Sequence, residues 1–321
     1  MTARSGSISE FPAGKTVLAS SVAKIYTSEI KKGIEVLGRS PKLVGFLANS
    51  DPAARMYAEW TGKTCQEAGF QFELREVDKE DLEDAIFQAN DDDSVDGIMI
   101  YFPVFGNRQD QYLQQVVSKD KDVEGLSHLY IQNLYHNSRY LDDKKTKKSI
   151  LPCTPLALVK ILEYLGVYNM ILPYGNRLYG KTITVVNRSE IVGRPLAALL
   201  ANDGAVVYSF DLNGVQMFTR GDGLKLHRHR VTDVEVKLED AAKISDVIIT
   251  GVPSESYKFS TNAIKDGAVC VNFSTAKNFD PSVKTKASLY VPSIGKVTIT
   301  MLMRNLLRLV DNKASPAKES L

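Results

Sequence analysis

KTITVVNRSEIVGRPLAALLA, residues 181–201, is the stretch on which the fold turns. Residues 181–186 have strand character, a polar turn follows, and the apolar run 196–201 reads as helix. A strand, turn and helix in that order aim backbone N–H groups and the positive end of a helix dipole at an anion, and a glycine in the turn lets backbone and phosphate approach closely. Asn187, Arg188, Ser189, Ile191, Val192 and Gly193 are therefore candidate cofactor contacts. Gly193 stands alone, so the three-glycine dinucleotide fingerprint is not met, and a plain βα turn stays open as the alternative. Asp211 points the other way: it follows the next strand, 18 residues beyond Gly193, near the usual offset for the acid that holds the adenosine ribose. A carboxylate there accepts both ribose hydroxyls. An added 2′-phosphate about 4 Å away would meet roughly 4 kcal/mol of repulsion per charge pair at an effective dielectric near 20. The cofactor read from these residues is NAD in preference to NADP, with a solvated loop acid as the other reading of Asp211. Thr250, Gly251, Val252 and Pro253 end a third strand, placed to line the nicotinamide side with backbone groups, and Asn272 near the end of a fourth joins the candidate cofactor contacts.

Outward from this stretch, strands at 206–210, 246–250, 268–273 and 289–291 continue the series. Upstream, Val22, Ile25, Tyr26, Ile30, Ile34 and Leu37 recur at helical spacing over 19–38. Strands at 43–48, 70–77 and 97–102 follow, with helices at 53–68 and 79–90 between them and Asp51-Pro52 as N-cap and first helical residue. Strands alternating with helices imply parallel sheets. The polar, lysine-rich segment 134–149, then Pro152 and Pro155, marks where the chain leaves its first half. The expected architecture is α/β: two α/β domains with a cleft between them. Residues 1–155, completed by a C-terminal helix at 297–321, form the first, and residues 156–296 form a Rossmann-type dinucleotide-binding parallel sheet.

Lysine and arginine number 40 against 38 acids, a net charge of +2, which gives no electrostatic reason to expect a nucleic-acid partner. No run approaches the roughly 20 apolar residues of a membrane span, and residues 1–15 lack the apolar core of a leader. Cys65, Cys153 and Cys270 are widely spaced and odd in number, which suits a reducing compartment and excludes a disulfide framework or zinc ribbon. A cytoplasmic protein with no membrane partner and no metal is expected. His227 and His229 resemble metal ligands only loosely and read better as part of a solvated insertion loop. Asp120, Lys121 and Asp122, taken alone, look like a solvated charge run.

Several unrelated short motifs occur in a fixed order. They are Asp51-Pro52-Ala53 through Tyr57 to CQEAGF at 65–70, DKDVEG at 120–125, PCTP at 152–155, Arg188-Ser189 with IVGRP at 191–195, and TITMLM at 298–303. Together they resemble the methylenetetrahydrofolate dehydrogenase/cyclohydrolase family over about residues 41–308, and within it the monofunctional NAD-dependent branch. The resemblance implies a tetrahydrofolate one-carbon derivative as substrate, oxidised from 5,10-methylene to 5,10-methenyl in the metabolism that feeds purine synthesis. It also implies a homodimer formed through the nucleotide domains and makes 1–155 the folate-binding catalytic domain. Tyr57, Glu124 and Cys153 fall on catalytic positions, and Thr61, Tyr101, Pro103, Asp122, Pro292 and Thr298 fall around the substrate. Members with both activities carry, one helical turn beyond the tyrosine, a lysine needed for the cyclohydrolase step. Here that position holds Thr61. Lys63 lies about 200° around the helix from Thr61 and cannot serve from that face. Tyr101 stands where a glutamine usually orients the lysine, Glu124 replaces an aspartate, and the segment before Thr298 is shortened to PSIGKV, 292–297.

Oxidising a methylene held between two nitrogens needs a hydride acceptor and no base, because a nitrogen lone pair expels the hydride and leaves an amidinium-like cation. Hydrolysing that cation needs activated water and proton transfers, hence a positioned acid–base group, which Thr61 is not. The residues thus predict a dehydrogenase without cyclohydrolase activity, working by orientation and by negative potential where the cation develops. Glu124 is the candidate for that charge, and a hydrogen bond to the pterin is an equal alternative. Two rivals stand beside this reading. An NAD-dependent dehydrogenase of a small hydroxy acid would need a base that none of the 4 histidines is placed to supply. A dinucleotide-sensing protein without turnover would have no use for Tyr57, Glu124 and Cys153.

Overall fold

The computed structural model describes residues 13–221 and 227–314. The leader test at the N-terminus, the tip of the insertion at 222–226 and the polar tail beyond 314 lie outside them. In chain order the first half runs β1 (Lys15–Thr16), α1 (Ala19–Leu37), β2 (Lys42–Leu47), α2 (Pro52–Ala68), β3 (Gln71–Glu76), α3 (Leu82–Asp91), β4 (Gly97–Ile100), α4 (Arg108–Val116), α5 (His128–Tyr135) and α6 (Cys153–Tyr164). The second half runs β5 (Thr182–Val186), α7 (Gly193–Asn202), β6 (Val206–Asp211), β7 (Gly214–Thr219), β8 (Arg230–Val234), α8 (Leu238–Ile244), β9 (Val247–Thr250), β10 (Val269–Asn272), β11 (Leu289–Val291) and α9 (Gly295–Ala314). The expected α/β class holds.

Two sheets organise these elements, one in the order β3-β2-β4 and one in the order β1-β11-β10-β9-β5-β6-β7-β8. Strands β2, β4, β9 and β10 are mostly apolar and buried along almost their whole length, as expected of a parallel sheet covered on both faces. The second sheet is parallel from β1 to β6 and antiparallel beyond it.

That antiparallel ribbon corrects one expectation. The insertion after Asp211 folds back as β7 and β8 and extends the sheet, where a solvated loop was expected. Two residues separate the paired Asp211 and Gly214, and Gly214 takes φ 108°, the conformation a tight hairpin requires. Phe218 is fully buried, and the His229 ring stacks on it at 5.6 Å and 17°. The His229 backbone N–H donates to Asn202 Oδ1 at 2.8 Å, and burial pulls its imidazole down to about 4. His229 is thus a neutral packing residue. Among the described residues no group of histidine, cysteine and acidic side chains could hold a metal ion.

Helices α1 and α9 pack on each other and serve both sheets. Val297 and Met301 of α9 belong to the core around β5 and β9, while Ile299, Leu302, Met303 and Leu306 belong to the core around β2 and α2. Helix α1 divides the same way, with Val22 in the first core and Ile30 in the second. Strand β1 pairs with β11, so the beginning of the described chain joins the larger sheet.

Lys121 also departs from expectation. It is buried, and its Nζ donates to the carbonyls of Ala89, Asn90 and Asp92 at 2.9, 2.7 and 2.7 Å. It satisfies the open carbonyl end of α3, where a cation is also favoured by the helix dipole.

Candidate active site

Helix α2 is launched by Asp51, whose Oδ1 accepts from the Ala53 N–H at 2.9 Å, with Pro52 opening the first turn. Its phase sets Tyr57, Thr61 and Cys65 one above another on a single face. Thr61 is fully buried, and its hydroxyl donates back to the Tyr57 carbonyl at 2.8 Å. The Tyr57 ring meets Tyr101 edge-on, with centroids 6.2 Å apart at 82°. Tyr101 directly follows β4, and its hydroxyl is buried beside Thr61 without a hydrogen bond of good geometry. Burial pushes both phenols well above their ordinary range. Pro103 follows a cis peptide, and Asn49 holds this turn by donating to the carbonyls of Tyr101 and Pro103, each at 3.0 Å. Sequence reasoning missed Asn49.

Glu124 lies against this aromatic pair. Its Oε2 accepts from the Ile100 N–H at 3.1 Å, and burial, reinforced by the nearby Asp122, pushes its carboxyl up to about 8. The Cys153 N–H donates to the Glu124 carbonyl at 3.2 Å, which sets the head of α6 beside it. The Cys153 thiol is pushed up to about 12 by burial, with the Glu124 charge acting in the same direction, so it stays a thiol at neutral pH and is a poor nucleophile. No lysine or arginine is among the groups that act on Tyr57, Tyr101 or Glu124.

Asp122, expected beside the substrate, is engaged by backbone N–H groups. It is buried, and its two oxygens accept from the N–H groups of Gly125 at 2.8 Å and Ser127 at 2.7 Å. Gly125 completes this turn at φ 70°, where a Cβ would stand 2.6 Å from the Leu151 carbonyl carbon. The expected substrate ligand is thus the group that shapes the Glu124 turn. Asn305 on α9, unforeseen, holds the same region together: its Nδ2 donates to the carbonyls of Val123 and Leu151, both at 2.9 Å. One side chain therefore ties the segments that carry Glu124 and Cys153. The available signal was an asparagine among Leu302, Met303 and Leu306 on an apolar helix face. Thr298 is buried and its hydroxyl lies 3.5 Å from the Ile294 carbonyl, while Pro292 accepts from Asn272 Nδ2 at 3.1 Å. Gly295 stands against the Trp60 ring, so residues 292–295 join the end of β10 to α2.

The candidate cofactor residues gather at the carboxyl edge of the larger sheet, where β5, β6, β9 and β10 end in Val186, Asp211, Thr250 and Asn272. The chain passes from β5 to β6 on one side and β9 lies on the other, so the crevice beside β5 is a topological switch point. Asn187 spans it, its Nδ2 donating to the Gly251 carbonyl at 2.5 Å and its Oδ1 accepting from the Ser189 N–H at 3.0 Å, with φ at 91°. Ser189 Oγ accepts from the Val192 and Gly193 N–H groups at 3.2 and 3.4 Å. Gly193 has no substitute here: a Cβ would fall 1.9 Å from the Asn187 carbonyl oxygen.

Asp211 accepts from the Arg188 N–H at 3.0 Å through Oδ2 and from the Leu212 N–H at 2.7 Å through Oδ1, which leaves a lone pair on each oxygen for another donor. The Arg188 guanidinium turns away from that edge, donating to the Ser209 carbonyl at 2.6 Å and the Gly214 carbonyl at 3.3 Å. It is 8% exposed and unavailable to a 2′-phosphate. A fixed carboxylate with open lone pairs and no free cation fits a ribose diol, so the donor set suits NAD. The backbone groups of Val252 are already engaged, the N–H with Asn278 Oδ1 at 2.8 Å and the carbonyl with Asn278 Nδ2 and Ser274 Oγ, each at 2.9 Å. Val252 is therefore held by Asn278 and Ser274, while the Gly251 carbonyl accepts from Asn187 and keeps a second lone pair. Asn278 and Ser274 went unforeseen. Thr250 Oγ1 and Asn272 Oδ1 are buried without partners at the same strand ends, and Ile191 is largely exposed. Cys153, at the head of α6, packs against both cores, the one that Val192 also borders and the one that Tyr57 also borders, and so stands between the two groups of residues.

Comparison with known proteins bears on the same regions. The family model for the tetrahydrofolate dehydrogenase/cyclohydrolase catalytic domain matches residues 15–124, and that for the NAD(P)-binding domain matches residues 152–222. A methylenetetrahydrofolate dehydrogenase [NAD(+)] of Schizosaccharomyces pombe is 69% identical over 296 residues, 92% of each chain. The protein of the same name from Saccharomyces cerevisiae is 64% identical over 309 residues, covering 93% of this chain and 97% of the relative. The solved structure of the NAD-dependent 5,10-methylenetetrahydrofolate dehydrogenase from Saccharomyces cerevisiae superposes with a TM-score of 0.89 over 94% of this chain and 98% of that one, at 63% identity.

Proposed function

This chain belongs to the tetrahydrofolate dehydrogenase/cyclohydrolase family, and from that premise we propose that it oxidises 5,10-methylenetetrahydrofolate with NAD and leaves the 5,10-methenyl product unhydrolysed. The relatives that are 69, 64 and 49% identical to it carry the NAD-dependent dehydrogenase name. Bound NAD supplies the hydride acceptor. The protein's own residues orient, exclude water and supply charge. Tyr57, Tyr101 and Thr61 wall one side of the site with side chains that stay neutral. Glu124 is held toward its protonated form by burial, and the cation left by hydride loss favours the carboxylate. The two roles open for Glu124 belong to two protonation states: the neutral acid can donate to the pterin, and the carboxylate that faces the cation forms once its proton has passed to solvent, before hydride transfer.

The observation that carries the loss of hydrolysis is the α2 face beyond Tyr57. There the Thr61 hydroxyl is committed to the Tyr57 carbonyl, Tyr101 fills the adjoining space, and among the described residues no lysine is a charge acting on Tyr57, Tyr101 or Glu124. Purified protein should reduce NAD with methylenetetrahydrofolate, work poorly with NADP, and let methenyltetrahydrofolate accumulate. Enzyme-dependent decay of the methenyl product would overturn the second half of the proposal. The same reading places the protein in the cytosol, supplying purine synthesis, consistent with three unpaired cysteines. It also makes the protein a homodimer through the larger sheet, on family grounds alone. Cell fractionation and sedimentation velocity check these two points.

A further inference from the structure

A cavity of about 100 Å³ lies behind α6, bounded also by α5, α7, the segment 168–177 and the far end of α9. None of its lining residues belongs to the catalytic or cofactor sets above. Its walls carry more positive than negative charge, and the carboxylates present are already committed. Asp203 binds Arg139 at 2.7 Å and the Tyr168 hydroxyl at 3.1 Å, and Glu163 binds Lys160 at 2.6 Å. The charges of Asp311 and Glu29 act on Arg308 from outside the cavity, but no acid among the lining residues is left over for Arg308 or Arg177. The Nε of Arg177 reaches the Leu172 carbonyl at 3.4 Å, and Arg308 makes no hydrogen bond or ion pair among the described residues. The nearby acid Glu29 is engaged by Arg304 at 3.0 Å. Tyr174 stands between two of the cations, its ring 4.7 Å from the Arg139 guanidinium and 5.8 Å from that of Arg177.

We propose that this cavity is a binding site for one small, multiply charged oxyanion, with Arg177 and Arg308 as its principal ligands. Withdrawing guanidinium groups from water without a counter-charge is unfavourable, and the planar fork of arginine pairs with phosphate or carboxylate oxygens through two parallel hydrogen bonds. Burial and the adjacent Arg304 pull the Arg308 pKa down, and Tyr174, Glu29 and Asp311 offset this only in part. The cavity has room for a phosphate group or a short dicarboxylate. The anion could come from a phosphate or from a carboxylic acid, and the two are separated by probe.

Isothermal titration of NAD-saturated protein with inorganic phosphate, and separately with malonate, tests the site, since saturating NAD keeps either probe out of the pyrophosphate turn. The expected result is saturable binding of one anion per chain, weakened at least tenfold by Arg308→Gln and by Arg177→Gln. Arg308→Lys should weaken it less, and Arg55→Gln, a surface change elsewhere, should leave it unaltered. Tighter phosphate binding assigns a phosphate source, and tighter malonate binding a carboxylic acid. Absence of saturable binding for both probes overturns the proposal, as does unchanged affinity in Arg177→Gln and Arg308→Gln. Should Arg308→Gln fail to fold, Arg177→Gln and Arg308→Lys decide.

Discussion

Replacing Glu124 by Gln should move activity and stability in opposite directions. In the folded protein burial holds this carboxyl up at about 8, against an ordinary value of 4.5. That difference, at about 1.36 kcal/mol per pH unit, disfavours the charged form by on the order of 5 kcal/mol. Because the folded state holds the proton more tightly than the unfolded chain, it binds more protons between about pH 4.5 and 8, and stability is lost as pH rises across that window. Glutamine keeps the shape, offers an oxygen to the Ile100 N–H and does not titrate. The variant should match the parent near pH 5 and exceed it near pH 9 by about 3 to 5 kcal/mol in urea unfolding. Its kcat/KM should fall by roughly two to three orders of magnitude, the usual effect of removing one preorganised electrostatic group. The parent kcat/KM should rise with pH to a plateau above about 8, and that rise should vanish in Glu124→Gln. A parent profile flat between pH 6.5 and 9, or a variant no more stable than the parent at pH 9, would refute the reasoning.

Thr61→Lys combined with Tyr101→Gln should confer measurable hydrolysis of methenyltetrahydrofolate, followed as loss of its absorbance. Thr61→Lys alone should destabilise the protein by several kcal/mol, because an ammonium would be buried without a partner. Asp211→Ser should raise the NADP to NAD ratio of kcat/KM by one to three orders of magnitude, the upper end set by about 4 kcal/mol of relieved repulsion. An unchanged ratio would remove Asp211 from cofactor choice. Asn305→Leu should lower kcat while leaving the KM for NAD unaltered, since it loosens the Glu124 and Cys153 segments and not the nucleotide turn; equal effects on both parameters would reduce Asn305 to a stability residue.

Much of this molecule can be read from periodicity alone, because period-two and period-3.6 patterns are local properties of a chain packed on one or both faces. The order of strands and helices from 19 to 102, the parallel strands between 181 and 291, the nucleotide turn around Gly193, Asp211 at the end of its strand and threonine in place of lysine at Thr61 were all available without coordinates. What periodicity does not carry is which distant groups meet once buried. Asn305 and Val123 are 182 residues apart, and nothing local reveals that one amide spans two catalytic segments. The motif containing Asp122 and Lys121 drew attention to the right place, yet only packing showed one closing a backbone turn and the other capping α3. Arg188 is the sharpest case: its place in the turn is compatible with a phosphate ligand, and only the β6–β7 hairpin, whose carbonyls take up its guanidinium, turns it inward. Sequence determined the elements and most of the chemical inventory. Tertiary structure decided which polar groups are satisfied by the protein and which remain open to a ligand, because burying a polar group requires a partner and that partner is supplied by long-range packing.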